Sequence, residues 1–488
     1  MNIIYIVAPS ILVAIVLAAV WLDKWSVPVI LISLGAGIIF GSDVLNLWYF
    51  SDFELANQVA NLALVFILFQ GGFNTKRETF KSVALAAAGM ATWGVVLTAA
   101  ATFTILWAVL DWPLQRSILL AVVISSTDAA ATFSILRRQS LSHKLTATVE
   151  VESAANDPMA ILLTVVAVTA FTSEFGTKWY IIILSFFWKF LIAPVLGWCF
   201  ARLTIWLFNR LRLQDRGYYY VLFLGFTLLI YGLAEMIRTS GMMAVFVAGF
   251  VIGNHSFVHK QGIYNFSSAL SIIANIGMFA LMGLLVFPHQ WSALWVDGVI
   301  LFLVLTLFAR PLAVWLGTLG MGIKFKDKIF MMWAGLRGAV PIVLSTYPAA
   351  AGMAIGQDIF NLVFFAVLLS ISIQGSTMGL IAKCLKLSTP TRPKPLYNLE
   401  LFTMAKSDMD LIIVDLPGPK EITGPTISEL RLPPAAVITL ITRGDEVIAP
   451  KGSTRLKGWD QVTVLAHAKD EEVVKQVLLT PFEHLNTK

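Results

Sequence analysis

Long apolar stretches separated by short polar segments run through the first 387 residues of the chain. A helix needs about 20 apolar residues to cross the hydrocarbon core of a bilayer, so each stretch has the length of one crossing. The pattern predicts thirteen membrane-spanning helices, over residues 3–22, 28–46, 55–73, 82–110, 115–137, 144–172, 179–208, 217–236, 240–255, 266–287, 292–320, 328–348 and 359–386. The predicted fold class is an all-α polytopic membrane protein with a small α+β domain after it.

Basic residues in the loops predict the orientation of these helices. They concentrate in every second loop, for example at Lys76, Arg77 and Lys81, and again at Arg210, Arg212 and Arg216. Cytoplasmic loops carry such an excess of lysine and arginine. We therefore expect the N-terminus outside and the C-terminal domain in the cytoplasm.

Two of the predicted helices are interrupted by polar or conformationally unusual residues. The fifth contains Ile124-Ser125-Ser126-Thr127-Asp128, and the twelfth contains Gly335-Leu336-Arg337-Gly338-Ala339-Val340-Pro341. Unwound backbone is tolerated at membrane depth where it lines a cavity between facing half-helices. A simple Gly/Pro kink would explain either break alone. A buried charge in each predicts instead two opposed breaks of an inverted repeat, where Asp128 and Arg337 compensate the half-helix dipoles.

The sixth predicted helix carries the acidic run Glu150-Val151-Glu152-Ser153-Ala154-Ala155-Asn156-Asp157-Pro158. A carboxylate at membrane depth costs ~3 kcal/mol and normally marks an ion or proton pathway. At helical spacing Ser153 and Asp157 share one face with Glu150, whereas Glu152 points elsewhere and needs another partner. Oxygen ligands on one face suit a small hard cation. The alternative is a structural polar cluster that joins two helices.

Composition excludes several other classes of protein. The chain has 488 residues, of which 58% are hydrophobic and 13% charged, far from the balance of a soluble domain. Its net charge of +6 lies mainly in the loops that flank the membrane, so we expect no nucleic-acid partner. The two cysteines, Cys199 and Cys384, indicate neither a disulfide nor a metal site. No bound cofactor is expected, and no metal beyond a transported monovalent cation.

Four motifs resemble those of the monovalent cation/proton antiporters, and in particular the branch with an Asn-Asp pair. They are the run Glu152–Pro158, Ser126-Thr127-Asp128, Ser240-Gly241 followed by Ala248-Gly249, and Gly335-Leu336-Arg337-Gly338. The resemblance implies that Asp157 is the carboxylate shared by cation and proton. It also implies a cation shell completed by Asp128, the Thr127 carbonyl and Ser153, with Asn156 as a neutral organiser.

The same resemblance implies a structural salt bridge between Glu152 and Arg337. Gln70 replaces an acid that many relatives carry before the Gly-Gly of the third helix, and it either faces the site or bonds a neighbouring helix. Gln70 and Glu150 are secondary candidates. We interpret Arg310, which precedes Pro311, as bracing a helix end or snorkelling to the interface.

The tail forms a second domain. The predicted division is a transmembrane exchanger domain at 1–387, a proline-containing linker at 388–396 and a cytoplasmic regulatory domain at 397–488. Short β-rich runs at 411–415, 436–442, 447–448 and 461–466 precede an amphipathic helix at 471–479. No strand–GxGxxG–helix nucleotide-binding unit lies in the tail.

The tail resembles the C-terminal lobe of potassium-conductance regulator (RCK) domains, through the segments 424–430, 437–450 and 456–460. This implies a homodimer and a regulatory ligand, cyclic di-AMP or another adenine nucleotide. Ile438 and Ile441 are candidates to flank a purine and Arg443 to meet phosphate, although both isoleucines are equally suited to the domain core. The alternative is a tail that only clamps a dimer.

The sequence thus predicts an electroneutral antiporter that exchanges a monovalent cation for a proton by alternating access in a bacterial cytoplasmic membrane. Potassium is the first candidate and sodium the second. One ionisable group in the Asn156–Asp157 pair implies one proton per cation. Two other functions remain open: an intramembrane aspartyl protease using Asp128 and Asp157, and a ligand-gated potassium channel, for which no Thr-Val-Gly-Tyr-Gly filter is found.

Overall fold

The computed structural model describes residues 4–22, 27–41, 43–77, 89–128, 143–172, 179–211, 215–387, 409–418, 422–444, 446–467 and 470–483. Their contacts divide the chain into two compact units. One comprises Met1–Leu207, Gly217–Ser256 and Tyr264–Thr389, and the other comprises Phe208–Arg216, Phe257–Ile263 and Pro390–Lys488.

Helices account for nearly all of the first unit. We number them α1 to α14 in chain order: Ile4–Leu22, Val29–Phe40, Phe53–Asn74, Met90–Val109, Leu114–Val123, His143–Thr172, Trp179–Arg210, Arg216–Met236, Gly241–Gly253, Lys260–Leu284, Pro288–Gly317, Phe325–Trp333, Ala339–Ala350 and Gly356–Cys384. Each span predicted from the sequence overlaps at least one of them. By length and composition, eight helices within the described residues suffice to cross a membrane: α3, α4, α6, α7, α8, α10, α11 and α14. The protein is therefore a mostly helical, multi-pass membrane protein.

Some helix ends differ from the predicted spans. Helix α10 begins at Lys260, six residues before the predicted apolar run. The difference arises because hydropathy reports where the chain meets lipid, whereas the first turn of α10 is polar and already hydrogen-bonded. Three of the long helices, α4, α11 and α14, also contain π-helical turns, which the apolar pattern does not reveal.

Glycines bring α3 and α9 into backbone contact. A Cβ atom at Gly72 would collide with the carbonyl oxygen of Phe246, and one at Gly249 would collide with that of Phe69. Small residues allow membrane helices to approach this closely, which replaces the hydrophobic driving force that lipid removes. Helices α3 and α9 therefore form a close-packed pair.

The strands belong to the second unit. They are β1 to β6 at Met409–Asp415, Thr423–Thr426, Val437–Arg443, Glu446–Ile448, Arg455–Lys457 and Gln461–His467, followed by α15 at Glu471–Glu483. Four of them form an antiparallel sheet in the order β1-β6-β3-β4, and β2 pairs with β5. The sequence analysis missed β2 and β5, because they are only four and three residues long and β2 contains Gly424-Pro425. Their pairing is also irregular.

Candidate functional site

The first interruption follows α5 and carries four buried polar side chains. Helix α5 ends at Val123, and Ser125, Ser126, Thr127 and Asp128 follow in a turn and then an extended segment. All four side chains are buried. The rest of the predicted fifth span lies outside the described residues. The sequence correctly predicted that the helix breaks at this point.

The second interruption lies opposite the first. Helix α12 ends at Trp333 and α13 begins at Ala339. The backbone N–H of Asp128 donates to the carbonyl of Leu336 at 2.8 Å, and the N–H of Ala339 donates to Asp128 Oδ2 at 2.8 Å. Asp128 therefore joins the two breaks and caps the N-terminus of α13, where a negative charge is favourable.

Arg337 provides the matching positive charge. Its Nη1 donates to the carbonyl oxygen of Ser125 at 2.7 Å and also to that of Ser126. These carbonyls follow the C-terminal end of α5, where the helix dipole favours a cation. As predicted, each break carries a charge that compensates a helix end of the other: Asp128 lies at the N-terminus of α13, and Arg337 lies just after the C-terminus of α5.

Two glycines in the second break make room for charged side chains. A Cβ at Gly338 would overlap the Asp128 carboxylate, and a Cβ at Gly335 would overlap the Arg310 guanidinium. The Gly335-Leu336-Arg337-Gly338 motif therefore supplies the charge of Arg337, and its two glycines leave space for the charged groups of Asp128 and Arg310.

Helix α6 brings the remaining predicted cation ligands to the first break. The hydroxyl oxygens of Thr127 and Ser153 lie 2.9 Å apart, and Asn156 Nδ2 donates to Thr127 Oγ1 at 2.6 Å. Asp157 lies one residue further on, buried, and close enough to Asp128 for the carboxylates to interact electrostatically. The structure therefore gathers these five residues, while a cation-binding role for each stays a prediction.

Several buried oxygen atoms in the Ser126-Thr127-Asp128 and Glu152–Pro158 motifs lack a hydrogen-bond partner among the described residues. They include Asp157 Oδ1, Asn156 Oδ1 and Ser126 Oγ. Buried oxygen atoms normally have partners, so a group of open acceptors indicates a place for a cation, a proton or water. An exchangeable ligand is one arrangement that satisfies them.

The predicted salt bridge between Glu152 and Arg337 is wrong. Glu152 Oε1 instead accepts from Arg310 Nη1 at 2.6 Å, and both side chains are buried. Arg310 also donates to the Met331 carbonyl at 3.2 Å. The Arg337 guanidinium donates instead to the carbonyls of Ser125 and Ser126. The missing side chain at Gly335 leaves space for the Arg310 guanidinium. Of the two interpretations of Arg310, snorkelling is wrong because the side chain is buried, whereas the bond to the Met331 carbonyl in the last turn of α12 agrees with bracing of a helix end.

Of the two secondary candidates, Gln70 has a described side chain, and its hydrogen bond goes to a neighbour in its own helix. Gln70 is buried, but its Nε2 donates to Asn74 Oδ1 at 3.1 Å within α3. Gln70 Oε1 has no partner among the described residues. The side chain of Glu150 lies outside what the structure describes.

The three regulatory candidates in the tail make contacts within the small domain itself. Ile438 and Ile441 are buried in the core of the small domain, which is the alternative that the sequence left open. Arg443 forms two hydrogen bonds of 2.8 Å with Asp460, and this contact raises the pKa of Arg443. In this arrangement neither isoleucine presents a surface to a purine.

Five buried charged side chains lie around the place where the two interruptions meet, which we call the crossing. Asp128, Glu152 and Asp157 face Arg310 and Arg337, and no other charged side chain in the described part of α1–α14 is buried. When all five are ionised, one net negative charge remains. Two opposed interrupted helices with carboxylates at their crossing define an ion-coupled secondary transporter.

Comparison with known proteins agrees with this class. The family model for transmembrane sodium/hydrogen exchangers matches residues 11–384. The K(+)/H(+) antiporter NhaP2 of Shewanella sp. strain ANA-3 is 33% identical over 459 residues, covering 93% of this chain and 79% of that protein. The K(+)/H(+) antiporter NhaP of Alkalimonas amylolytica is 30% identical over 459 residues, covering 92% and 79%.

The fold has a counterpart of known structure. The sodium proton antiporter MjNhaP1 of Methanocaldococcus jannaschii superimposes with a TM-score of 0.68 over 78% of this chain and 99% of that one, at 23% identity. The chain belongs to the sodium/hydrogen exchanger family. It is a cation/proton antiporter and not an enzyme, so the aspartyl protease alternative is excluded.

Proposed function

We propose that the protein exchanges one monovalent cation for one proton at Asp157, with potassium preferred and sodium the second candidate. The preference for potassium rests on the two relatives reported above, both named K(+)/H(+) antiporters and both at least 30% identical.

The observation that carries the proposal is the open oxygen of Asp157 within a cluster of net charge −1. Asp157 Oδ1 is buried without a hydrogen-bond partner among the described residues. Arg310 balances Glu152, the α13 N-terminus faces Asp128, and Arg337 adds a positive charge at the Ser125 carbonyl. Either a proton or a monovalent cation on Asp157 makes the cluster neutral. A neutral cluster is the form that is least costly to move through a low-dielectric region.

The cation shell would consist of oxygen atoms from both sides of the crossing. Asp157 and Ser153 approach from α6, and Thr127 and Asp128 from the first break. Asn156 holds the Thr127 hydroxyl through its amide, so its role is to orient a ligand. Hard cations such as potassium and sodium prefer this kind of oxygen donor set.

Alternating access would couple the two ions. Competition for one carboxylate means that the protein reorients only with a proton or a cation bound, and never empty. Exchange at one to one moves no net charge, so transport is electroneutral. We infer thirteen membrane crossings, an outside N-terminus and a cytoplasmic tail, as the sequence pattern predicts. The family resemblance implies a bacterial inner membrane, and the resemblance of the tail to RCK lobes implies a homodimer.

Regulation by the tail is a further part of the proposal. The small α+β unit would bind a ligand such as cyclic di-AMP or another adenine nucleotide and change the transport rate. Since Ile438 and Ile441 are core residues, we expect exposed residues to make the contact with the nucleotide.

Purified protein in proteoliposomes tests the exchange. An outward proton gradient should drive uptake of potassium, and more weakly of sodium, with one proton released for each cation. Clamping the membrane potential at two values, at fixed gradients, should leave the rate unchanged. A strong voltage response would contradict electroneutrality, and cation flux without proton movement would favour a channel.

A further inference from the structure

The second interruption is held by a side of α14 that the exchange mechanism described above does not use. Helix α14 contains a π-helical turn at Ser370–Gly375. Such turns are rare and are frequently found at functional sites. Ser370 opens this turn and Gln374 lies within it, and both side chains are buried.

Ser370 and Gln374 contact both ends of the break between α12 and α13. The backbone N–H of Arg337 donates to Ser370 Oγ at 3.0 Å, and Ser370 Oγ donates to Gln374 Oε1 at 2.5 Å. Gln374 Nε2 donates to the carbonyl of Trp333, the last residue of α12, at 3.3 Å. The pair therefore satisfies an N–H and a C=O that the interrupted helix leaves without helical partners.

One turn further along, Thr377 extends the same stripe. Trp333 Nε1 donates to Thr377 Oγ1 at 3.0 Å. The spacing of Ser370, Gln374 and Thr377 places all three on one face of α14. This polar face of α14 therefore hydrogen-bonds to both the last residue of α12 and the backbone of Arg337.

Arg337 connects this face of α14 to the proposed cation site. Its backbone is fixed by Ser370, and its guanidinium reaches the carbonyls of Ser125 and Ser126. The next two residues of that segment, Thr127 and Asp128, are proposed cation ligands. A shift of the Arg337 backbone would therefore move the ligands on the first break relative to Asp157 on α6.

We propose that Ser370 and Gln374 are positioning residues for cation binding, acting through Arg337. The inference deepens the proposed exchange at Asp157 and rests on it. Neither residue is among the proposed cation ligands. Their effect is to hold the crossing in the geometry at which Thr127 and Asp128 meet Asp157.

The test compares four variants in proteoliposomes by the potassium concentration that gives half-maximal exchange and by the maximal rate. Ser370→Ala and Gln374→Met should each raise the half-saturating concentration about tenfold, as expected when buried backbone groups lose their partners. Ser370→Thr keeps the hydroxyl and should restore half-saturation to near that of the unmodified protein. The matched control is Ser376→Ala, because within the described part of the chain the exposed Ser376 hydroxyl bonds only the Ser372 and Ile373 carbonyls of its own helix α14.

The outcomes separate this inference from the function on which it rests. If the unmodified protein shows no exchange, both are wrong. If it exchanges and Ser370→Ala and Gln374→Met lower only the thermal midpoint, with half-saturation unchanged, the residues are structural and the positioning role is overturned. If Ser370→Ala fails to accumulate, Gln374→Met and Ser370→Thr decide the question by the same measurement.

Discussion

Asp157 combines burial with an open carboxylate oxygen, so a single-residue change there separates transport from folding. Asp157→Asn keeps the side-chain volume but removes the group that alternates between proton and cation. We expect exchange in proteoliposomes to fall to background while the thermal midpoint in detergent stays near that of the unmodified protein.

Asp297→Asn is the matched control for this change. Asp297 is a partly exposed acid that pairs with Arg116 at 2.7 Å, away from the crossing. We expect this variant to exchange normally. Substantial exchange by Asp157→Asn would show that another group carries the proton.

The ion pair between Glu152 and Arg310 gives a second prediction at this scale. Removing one partner of a buried pair leaves an uncompensated charge, which typically costs ~3–5 kcal/mol. Glu152→Ala and Arg310→Ala should each lower stability, and the double variant should lose less than the two losses combined. Thermal unfolding of the three proteins measures this coupling.

Pairing Arg337→Ala with Glu152→Ala provides the comparison. Since Arg337 bonds backbone carbonyls and not Glu152, we expect weaker coupling for that pair than for Glu152 with Arg310. Coupling of equal size in both pairs would contradict the assignment of Arg310 as the partner.

Individual residues show how far the sequence leads. Helical spacing correctly indicated that Glu152 points away from Asp157, but two buried arginines were available as partners. The choice depends on how α11 packs against the second break, and on space beside Gly335, which a one-dimensional pattern does not contain. The polar residues Ser370 and Gln374 in an apolar run were a signal for a buried contact that the sequence analysis did not use.

At the level of elements, apolar runs and breaks were predictable because lipid imposes them. A membrane helix must be apolar on its outside, and polar or glycine-rich interruptions at that depth need a partner. The contact between the two breaks follows from the charge on each, which bonds backbone groups of the other break. Short strands such as β2 and β5 are not predictable in this way, since their pairing is set by the surrounding domain.

Two adjacent glycines in α3 offer a test of helix packing. Gly72→Ala places a methyl group against the backbone of Phe246 in α9, whereas a Cβ at Gly71 meets nothing within 4 Å. We expect Gly72→Ala to lower the thermal midpoint and the exchange rate, because α3 and α9 must separate.

Gly71→Ala adds the same methyl group one residue earlier and is the control. It should leave both quantities near those of the unmodified protein, since alanine is also the better helix former. Equal effects of the two changes would show that close backbone approach is not what stabilises this pair.

For the whole molecule, the predicted tail regulation can be separated from transport. Ending the chain at Leu387 should leave the ratio of protons to cations unchanged, because every proposed ligand lies before that residue. The truncation should abolish any change of rate caused by cyclic di-AMP or another adenine nucleotide. Transport assays of the full and shortened chains, with calorimetric titration of the full chain, measure both effects.

A clear negative outcome is available for this prediction. No heat with any adenine nucleotide, together with the same transport rate in both chains, would leave the tail with a role in assembly alone. A changed ratio of protons to cations after truncation would show that the tail contributes to the ion pathway itself.

The way the five buried charges are bonded constrains how the protein can diverge. Four of them bond a backbone group or another charged member of the set: Asp128, Glu152, Arg310 and Arg337. Replacing any one of these four leaves a buried polar or charged group without its partner. Mutational drift at these positions therefore requires paired changes, which are rare. Thr127, Ser153 and Asn156 are neutral and hydrogen-bond to one another, so replacing one of them leaves no uncompensated charge. Selection for a different cation has its accessible route through these hydroxyl and amide groups.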